Sequence, residues 1–203
     1  DRIRTKFSKD LTTTDQNDFK GNLKIIDNQI KQIEKLVNEF SDFARMPKPV
    51  MKKNNLVILL KETIKLLKEL DKSIDIEFAS NEEKIELNSD PEQLSRVFLN
   101  LIKNSIESIH QKVEKGAVFN KKISIELSDF DDHISLVIKD NGLGFSVFGD
   151  KIKNILNPYF TTKKNGTGLG LSIVNKIVND HNGYIDFINI DNGAKIIITF
   201  SKT

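Results

Sequence analysis

The sequence contains no cysteine, so disulfide bonds and thiolate metal sites are excluded. No apolar run approaches the roughly 20 residues that a membrane-spanning helix needs. A strong charge of either sign is also missing, because 31 lysines and arginines against 29 aspartates and glutamates leave a net charge of +2. A chain this balanced gives no reason to expect nucleic acid as the main partner. No secretory signal peptide is recognisable.

What is present suits a soluble globular protein. The 203 residues suffice for one large domain or two small ones. Hydrophobic residues make up 38% of the chain, enough for a buried core, and charged residues make up 30%, typical of a soluble surface.

Residues 15–45 have the pattern of one long helix with a narrow apolar stripe. Six apolar residues recur at spacings of 3, 4, 3, 4 and 3, namely Leu23, Ile26, Ile30, Ile33, Val37 and Phe40. This strict a/d heptad pattern is typical of helices that pair with other helices. The alternative is an amphipathic helix that packs on its own domain.

Pro47 and Pro49 end this helix, because proline lacks an N–H donor and restricts the residue before it. They predict a partial helical domain at 1–46, a linker at 47–54 and a second domain at 55–203. The patterns of the second domain predict helices at about 55–70, 91–110 and 168–181, and strands at about 74–78, 84–87, 122–129, 133–139, 183–190 and 194–200. This order predicts an α+β fold, a two-layer α/β sandwich with helices on one face of a mostly antiparallel sheet.

Two glycine clusters lie between Asp140 and Leu171. They read Asp140-Asn141-Gly142-Leu143-Gly144 and Gly166-Thr167-Gly168-Leu169-Gly170. Glycine has no Cβ, so the N–H groups of such clusters can approach a ligand closely. The second cluster leads into an apolar helical pattern, and a helix N-terminus favours an anion such as phosphate. Asp140 ends a strand-like run and can accept a hydrogen bond from the exocyclic amine of a base. Together these residues predict a nucleotide pocket.

Asn100 and Asn104 lie one helical turn apart on an otherwise apolar predicted helix, so their side chains point the same way. Carboxamides are costly to bury without partners. They either bond a neighbouring loop or line a ligand site, and the glycine clusters favour the second interpretation. In that interpretation the carbonyl oxygen of Asn104 binds Mg²⁺, an ion that prefers oxygen ligands.

These motifs resemble the ATP-binding domain of sensor histidine kinases, whose superfamily also includes Hsp90, type II topoisomerases and MutL. Residues 100–104 are similar to the N box of that family, 140–144 to its G1 box, 158–163 to its F box and 166–170 to its G2 box. The segment Glu39-Phe40-Ser41-Asp42-Phe43-Ala44-Arg45-Met46-Pro47-Lys48-Pro49 resembles nitrogen-regulation sensor kinases of the NtrY type.

The resemblance implies a sandwich of the histidine kinase and Hsp90 type, preceded by a coiled-coil-like dimerisation hairpin whose second helix is 15–45. It implies that Asp140 reads N6 of adenine and that Thr199 assists through water. The other implied ATP-binding residues are Asn100, Asn104, Gly142, Gly144, Lys163, Lys164, Gly166, Thr167, Gly168, Leu169 and Gly170. Lys163 and Lys164 could instead be solvated lysines of a lid at 145–167.

In this family one histidine of the first dimerisation helix accepts the γ-phosphoryl group, within a His-Glu-x-x-Asn-Pro type segment. His110, His133 and His181 do not lie in such a segment, and we interpret all three as structural or surface residues. We therefore expect the acceptor to lie before residue 1, so that this chain alone binds ATP without phosphorylating itself.

The implied function is that of a two-component protein-histidine kinase, which passes phosphate from ATP to a histidine and then to an aspartate of a response regulator. The implied cofactors are ATP and Mg²⁺. The implied partners are a second copy, through helix 15–45, and a receiver domain. We expect a cytoplasmic location, with any membrane anchor in segments outside this chain.

Two alternatives remain open, a non-catalytic ATP-binding and dimerisation module and an ATP hydrolase of the same superfamily. The hydrolases carry a glutamate general base at the position of Asn100. A carboxamide cannot take a proton from water near neutral pH, which argues against hydrolysis.

Overall fold

A computed structural model of the protein describes residues 13–145, 149, 152, 154–161, 163 and 166–202. The chain divides into two compact units. The first comprises Asp1–Met46 and Lys163–Thr167, and the second comprises Pro47–Thr162 and Gly168–Thr203. Within the described residues, no helix is both long and apolar enough to cross a membrane.

The first unit contains one long helix, α1, at Thr13–Ala44. It covers nearly all of the helix predicted at 15–45. The other helix of the predicted hairpin falls outside the described residues. Along the heptad stripe, Ile26, Ile30, Ile33, Val37 and Phe40 are between 47% and 61% exposed. The apolar stripe of α1 therefore faces outward.

The second unit alternates helices with short strands. In chain order its described part forms β1 Lys52–Asn55, α2 Leu56–Leu70, β2 Asp75–Ser80, β3 Glu86–Ser89, α3 Pro91–Glu114, β4 Lys122–Asp129, β5 His133–Asp140, α4 Gly170–Asp180, β6 Gly183–Ile190 and β7 Gly193–Ser201.

Five of these strands form one sheet in the order β2-β4-β5-β7-β6. β2 is parallel to β4, and the other neighbours are antiparallel. Alternate residues of the central strands are buried, because successive side chains of a strand point to opposite faces. The three helices pack on one another and on the strands, which confirms the predicted two-layer α/β sandwich.

Residues 47–54, predicted as a linker, are instead part of the second unit. Lys52–Asn55 form β1, which pairs antiparallel with β3. The Val50 N–H donates to Asp90 Oδ2 over 2.8 Å, and the side-chain amide of Gln93 donates to the Pro47 carbonyl over 3.1 Å. The segment has no apolar alternation that would predict a strand, so its structure depends on partners distant in sequence.

The N-terminus of α3 is capped by Asp90, whose Oδ1 accepts the N–H groups of Glu92 and Gln93. The Asp90 N–H in turn donates to Nε2 of His181 over 2.9 Å, and His181 Nδ1 lies 2.7 Å from the Ile177 carbonyl. A backbone N–H only donates and a carbonyl only accepts, so His181 is neutral with its proton on Nδ1. This buried imidazole joins the start of α3 to the end of α4.

Candidate nucleotide site

Asp140 is the last residue of β5 and is only 6% exposed. Its Oδ1 accepts the Gly142 N–H and its Oδ2 accepts the Ser105 hydroxyl, each over 2.9 Å. Burial raises the pKa of Asp140, and these two hydrogen bonds, the Ala194 backbone and the charge of Lys112 oppose that rise. Each carboxylate oxygen has a second lone pair, so Asp140 can accept a further hydrogen bond from a ligand.

The turn that follows Asp140 is bonded to α3. The Leu143 N–H donates to Ser108 Oγ over 3.0 Å, and Lys112 Nζ donates to the Asn141 carbonyl over 2.7 Å. Ser105, Ser108 and Lys112 follow one another at helical spacings of three and four, so they lie on one face of α3. Three successive side chains of this face thus hold the turn.

Close packing requires the glycines of this turn and Gly193, the first residue of β7. A Cβ on Gly142 would lie 2.4 Å from Ser108 Oγ, and one on Gly193 would lie 1.8 Å from the Asp140 carbonyl oxygen. Gly144 has a φ of +71° and packs on the Gly193 carbonyl. The Gly142 N–H already donates to Asp140, and contact of Gly142 with a ligand stays a prediction.

Asn100 and the second glycine cluster meet where α4 begins. A Cβ on Gly170 would lie 3.2 Å from Asn100 Oδ1, and Asn100 Nδ2 donates to the Arg96 carbonyl over 2.8 Å. Gly168 has a φ of +71° and accepts the Tyr159 N–H over 3.0 Å. At Leu169, the N-cap position, no side-chain hydrogen bond caps α4 in the described structure. The first turn of α4 is thus suited to an anion.

Asn104 lies one helical turn after Asn100 on α3 and is half-buried. It is the residue predicted to bind Mg²⁺. In the described part of the chain, no group of three or more histidine, aspartate or glutamate side chains could hold a metal ion.

Thr199 is not brought to Asp140. In the ladder between β5 and β7, Asp140 pairs with Ala194, whereas Thr199 pairs with Ser135. Thr199 and Ala194 are five residues apart, an odd number, so their side chains point to opposite faces of the sheet. The predicted assistance of Thr199 to Asp140 is therefore wrong, and Ala194 holds the neighbouring position.

The remaining predicted residues belong to the first unit or are not described. Lys163, Gly166 and Thr167 lie in the first unit, where the Thr167 hydroxyl donates to the Glu39 carboxylate of α1. Lys164 lies outside the described residues. Contact of these residues with ATP stays a prediction.

Ser105, Ser108 and Lys112 were not predicted as site residues. A signal existed for Ser105, because it interrupts the apolar stripe of α3 between Ile102 and Ile109. A polar residue within such a stripe needs a partner.

The three histidines each have a partner. His110 Nε2 lies 2.6 Å from Asp71 Oδ2, and His133 Nδ1 lies 2.6 Å from Asp132 Oδ1. His181 is 4% exposed, and both of its ring nitrogens are bonded as described above.

Comparison with known proteins finds relatives over nearly the whole chain. The family described as "Histidine kinase-, DNA gyrase B-, and HSP90-like ATPase" matches residues 89–203. The chain is 36% identical over 201 residues to the "Putative sensor histidine kinase NtrY-like" of Rickettsia prowazekii, covering 98% of this chain and 32% of that protein. It is 29% identical over 193 residues to the "Nitrogen regulation protein NtrY" of Azorhizobium caulinodans, covering 95% and 24%. The chain thus spans about a third or less of the length of these relatives.

Solved structures give the same result. The nucleotide-free catalytic domain of histidine kinase ThkA is 31% identical with a TM-score of 0.65, covering 75% of this chain and 96% of that one. Histidine kinase ThkA in complex with response regulator protein TrrA is 26% identical with a TM-score of 0.74, covering 99% and 55%. The family matches more than half of the chain and the fold is that of a kinase catalytic domain, so this protein belongs to the histidine kinase-, DNA gyrase B- and HSP90-like ATPases, as a member with a sensor histidine kinase catalytic domain.

Proposed function

We propose that this chain is the ATP-using part of a sensor protein-histidine kinase. In the parent protein, the γ-phosphoryl group of ATP passes to a histidine and then to an aspartate of a response regulator. The observation that supports the proposal is the environment of Asp140. Its buried carboxylate accepts a hydrogen bond on each oxygen and can still accept another from a donor group of a ligand. The amine of adenine is such a donor.

The phosphates fit the other half of the site. The first turn of α4 presents backbone N–H groups and the positive end of the helix dipole, and Asn100 adjoins it at Gly170. Phosphoryl transfer depends on positioning and charge neutralisation more than on covalent chemistry by the protein. A site built from amides and carboxamides suits that requirement.

Asn104 fits a magnesium ion that is bound chiefly by phosphate. Mg²⁺ in such sites keeps several waters and takes one or two protein oxygens in addition to phosphate oxygens. One carboxamide oxygen suits an ion that arrives with the nucleotide. The ion would neutralise phosphate charge there.

The exposed stripe of α1 supports a homodimer. Its a/d residues are about half exposed, and apolar residues at this spacing pair with an equivalent helix. A response-regulator receiver domain is the second proposed partner, by analogy with the kinase ThkA, whose complex with a response regulator resembles this chain. The use of ATP favours a cytoplasmic location.

None of the three histidines lies in a His-Glu-x-x-Asn-Pro type segment or on α1. His181 is also buried, with both of its ring nitrogens bonded. The acceptor must be held in line with the γ-phosphate, since effective molarity falls steeply otherwise. We infer that residues 1–203 bind ATP but do not phosphorylate themselves.

The nucleotide site is tested by titration calorimetry with Mg-ADP. Asp140→Asn should weaken binding by about 1–3 kcal/mol, because it replaces a carboxylate acceptor by an amide that is also a donor. Asp75→Asn, an exposed aspartate of β2, is the matched control and should leave affinity unchanged. Equal affinity of Asp140→Asn and the wild type would remove Asp140 from the site.

Kinase activity is tested with γ-labelled ATP on this chain and on the full-length parent protein. The parent should acquire an acid-labile phosphate, and the chain alone should acquire none. Labelling of the chain that disappears on changing His110, His133 or His181 to glutamine would identify that residue as an acceptor and contradict the assignment.

A further inference from the structure

Ser105 is a buried hydroxyl within the apolar stripe of α3. It follows Asn104 directly and is 2% exposed. Its Oγ lies 2.9 Å from Asp140 Oδ2, a bond between residues 35 positions apart in sequence. An ionised carboxylate has no donor, so the serine is the donor. A buried hydroxyl without a partner would be costly, and Asp140 is the partner.

The hydrogen bond fixes the orientation of the carboxylate. The Gly142 N–H holds Oδ1 and Ser105 holds Oδ2, so the carboxyl group is restrained at both oxygens. A lone pair that remains on the carboxylate is then presented to a ligand in a defined direction. Without Ser105, only backbone groups, those of Gly142 and Ala194, would restrain rotation of the carboxylate.

We propose that Ser105 is a positioning residue for adenine recognition, holding Asp140 in the orientation in which it accepts a hydrogen bond from the exocyclic amine of the base. The proposal rests on the nucleotide site proposed above. It assigns a base-specific effect to a side chain that need not touch the nucleotide.

Other side chains on the same face of α3 act differently. Ser108 accepts the Leu143 N–H and Lys112 donates to the Asn141 carbonyl, so both bond the backbone of the turn. Ser105 alone of these three bonds the carboxylate. Loss of Ser105 should therefore affect recognition of the amine, whereas loss of the others would affect the position of the whole turn.

Ser105 also favours the ionised form of Asp140. Burial raises the pKa of this carboxyl, whereas the bonds from Gly142, Ser105 and the Ala194 backbone, together with the charge of Lys112, lower it. Lys112 of α3 is the charged side chain that acts on Asp140 in the described structure. Removing the hydroxyl should let Asp140 protonate at a higher pH, and the protonated form has one acceptor position fewer.

The test compares two ligands by titration calorimetry. They are ADP and purine riboside diphosphate, which differs from ADP only in lacking the exocyclic amine. Ser105→Ala should bind ADP roughly three- to tenfold more weakly than the wild type does, because the hydrogen bond from the amine of adenine to Asp140 is weakened. It should bind the analogue, which lacks this amine, as tightly as the wild type does. As the pH is lowered, the ADP affinity of this variant should also begin to fall at a higher pH than that of the wild type.

Thr63→Ala is the matched control. Thr63 is another buried helical hydroxyl, 8% exposed, which donates to the Leu59 carbonyl within α2. This variant should bind both ligands as the wild type does, and thermal unfolding should show that both variants are folded. Ser105→Cys keeps the size of the side chain with a weaker donor and gives the same comparison if the alanine variant is unstable.

The outcomes separate the two proposals. An equal loss of affinity for both ligands, or no loss for either, would overturn the role of Ser105 while leaving adenine binding intact. A wild-type protein that binds ADP and the analogue equally would overturn the role of Asp140 itself and, with it, that of Ser105.

Discussion

α1 and α3 have 32 and 24 residues, and each carries a regular apolar stripe. On α3 the stripe is covered by the rest of the second unit, and Leu94, Val97, Phe98, Leu101 and Ile102 are all 0% exposed. On α1 the corresponding residues are about half exposed. Two similar sequence patterns thus lead to opposite degrees of burial.

The pattern alone does not explain the difference. Adjacent apolar pairs occur on both helices, such as Val97 with Phe98 on α3 and Leu36 with Val37 on α1. The stripe of α3 contacts the sheet and the neighbouring helices of its own unit, whereas Leu36 and Val37 of α1 are 40% and 52% exposed. The 3-4 spacing on α1 is suited to a partner helix.

The largest expected effect is on the core stripe. Leu101→Ala should destabilise the second unit by about 2–5 kcal/mol, because it removes fully buried methyl groups and leaves a cavity. Ile26→Ala on α1 should leave the stability of the second unit unchanged, because Ile26 belongs to the first unit and is 54% exposed. Hydrogen exchange of the β4 and β5 amides measures both. Similar losses of protection in the two variants would show that the helices do not differ as described.

The next effect concerns the exposed stripe. Ile30→Asp and Ile33→Asp should each weaken self-association by about a hundredfold, because they place an unpaired charge in the seam of a helix pair. Asn28→Asp introduces the same charge on the far side of α1 and serves as the control. Sedimentation should show monomers for the first two variants only. An unchanged mass for all three would exclude the seam as a dimer contact.

A smaller effect on stability distinguishes an aspartate bonded to α3 from an aspartate on α1. Asp71 lies just after α2 and accepts hydrogen bonds from Ser73 and from His110 of α3, which lower the pKa of Asp71 to about 2. A carboxyl whose pKa is lower in the folded state stabilises it above pH about 4, and this stabilisation is lost as the pH falls towards 2. Asp71→Asn should therefore cost about 1–2 kcal/mol at pH 7, and only a small fraction of that cost should remain near pH 2.

On α1, Asp27 pairs with Lys31 over 2.7 Å, but both side chains are more than 60% exposed. Asp27→Asn should give no measurable change in stability at either pH, because exposed pairs contribute little. Urea unfolding at pH 7 and near pH 2 measures both variants. Equal losses of stability in the two variants would mean that the contacts of Asp71 with Ser73 and His110 contribute no more than the exposed pair on α1.

Much of the fold follows from local patterns. Pro91 after Asp90 defines the start of α3, and the alternation in β4 and β5 defines two sheet strands. β1 was not predicted, because Lys52–Asn55 has no alternation of apolar and polar residues and forms a strand only by pairing with β3. In the site, the glycines that follow Asp140 indicated its role. Thr199 was wrongly assigned because the register of β7 against β5 cannot be predicted from sequence, and Ser105 was missed because its partner depends on how α3 packs on β5. Register and helix–sheet contacts are long-range properties that local patterns do not contain.

The bridge made by His181 provides a built-in spectroscopic reporter. Its proton sits on Nδ1 against the Ile177 carbonyl, while Nε2 receives the Asp90 N–H, so the imidazole has one tautomer and a shielded proton. α3 carries Asn100 and Asn104, and α4 begins with the second glycine cluster. The nitrogen-15 resonances of this one ring therefore report on both helices of the proposed nucleotide site at once. If nucleotide binding shifts α4 relative to α3, the nitrogen-15 chemical shifts of the His181 ring should change, and no probe group need be attached.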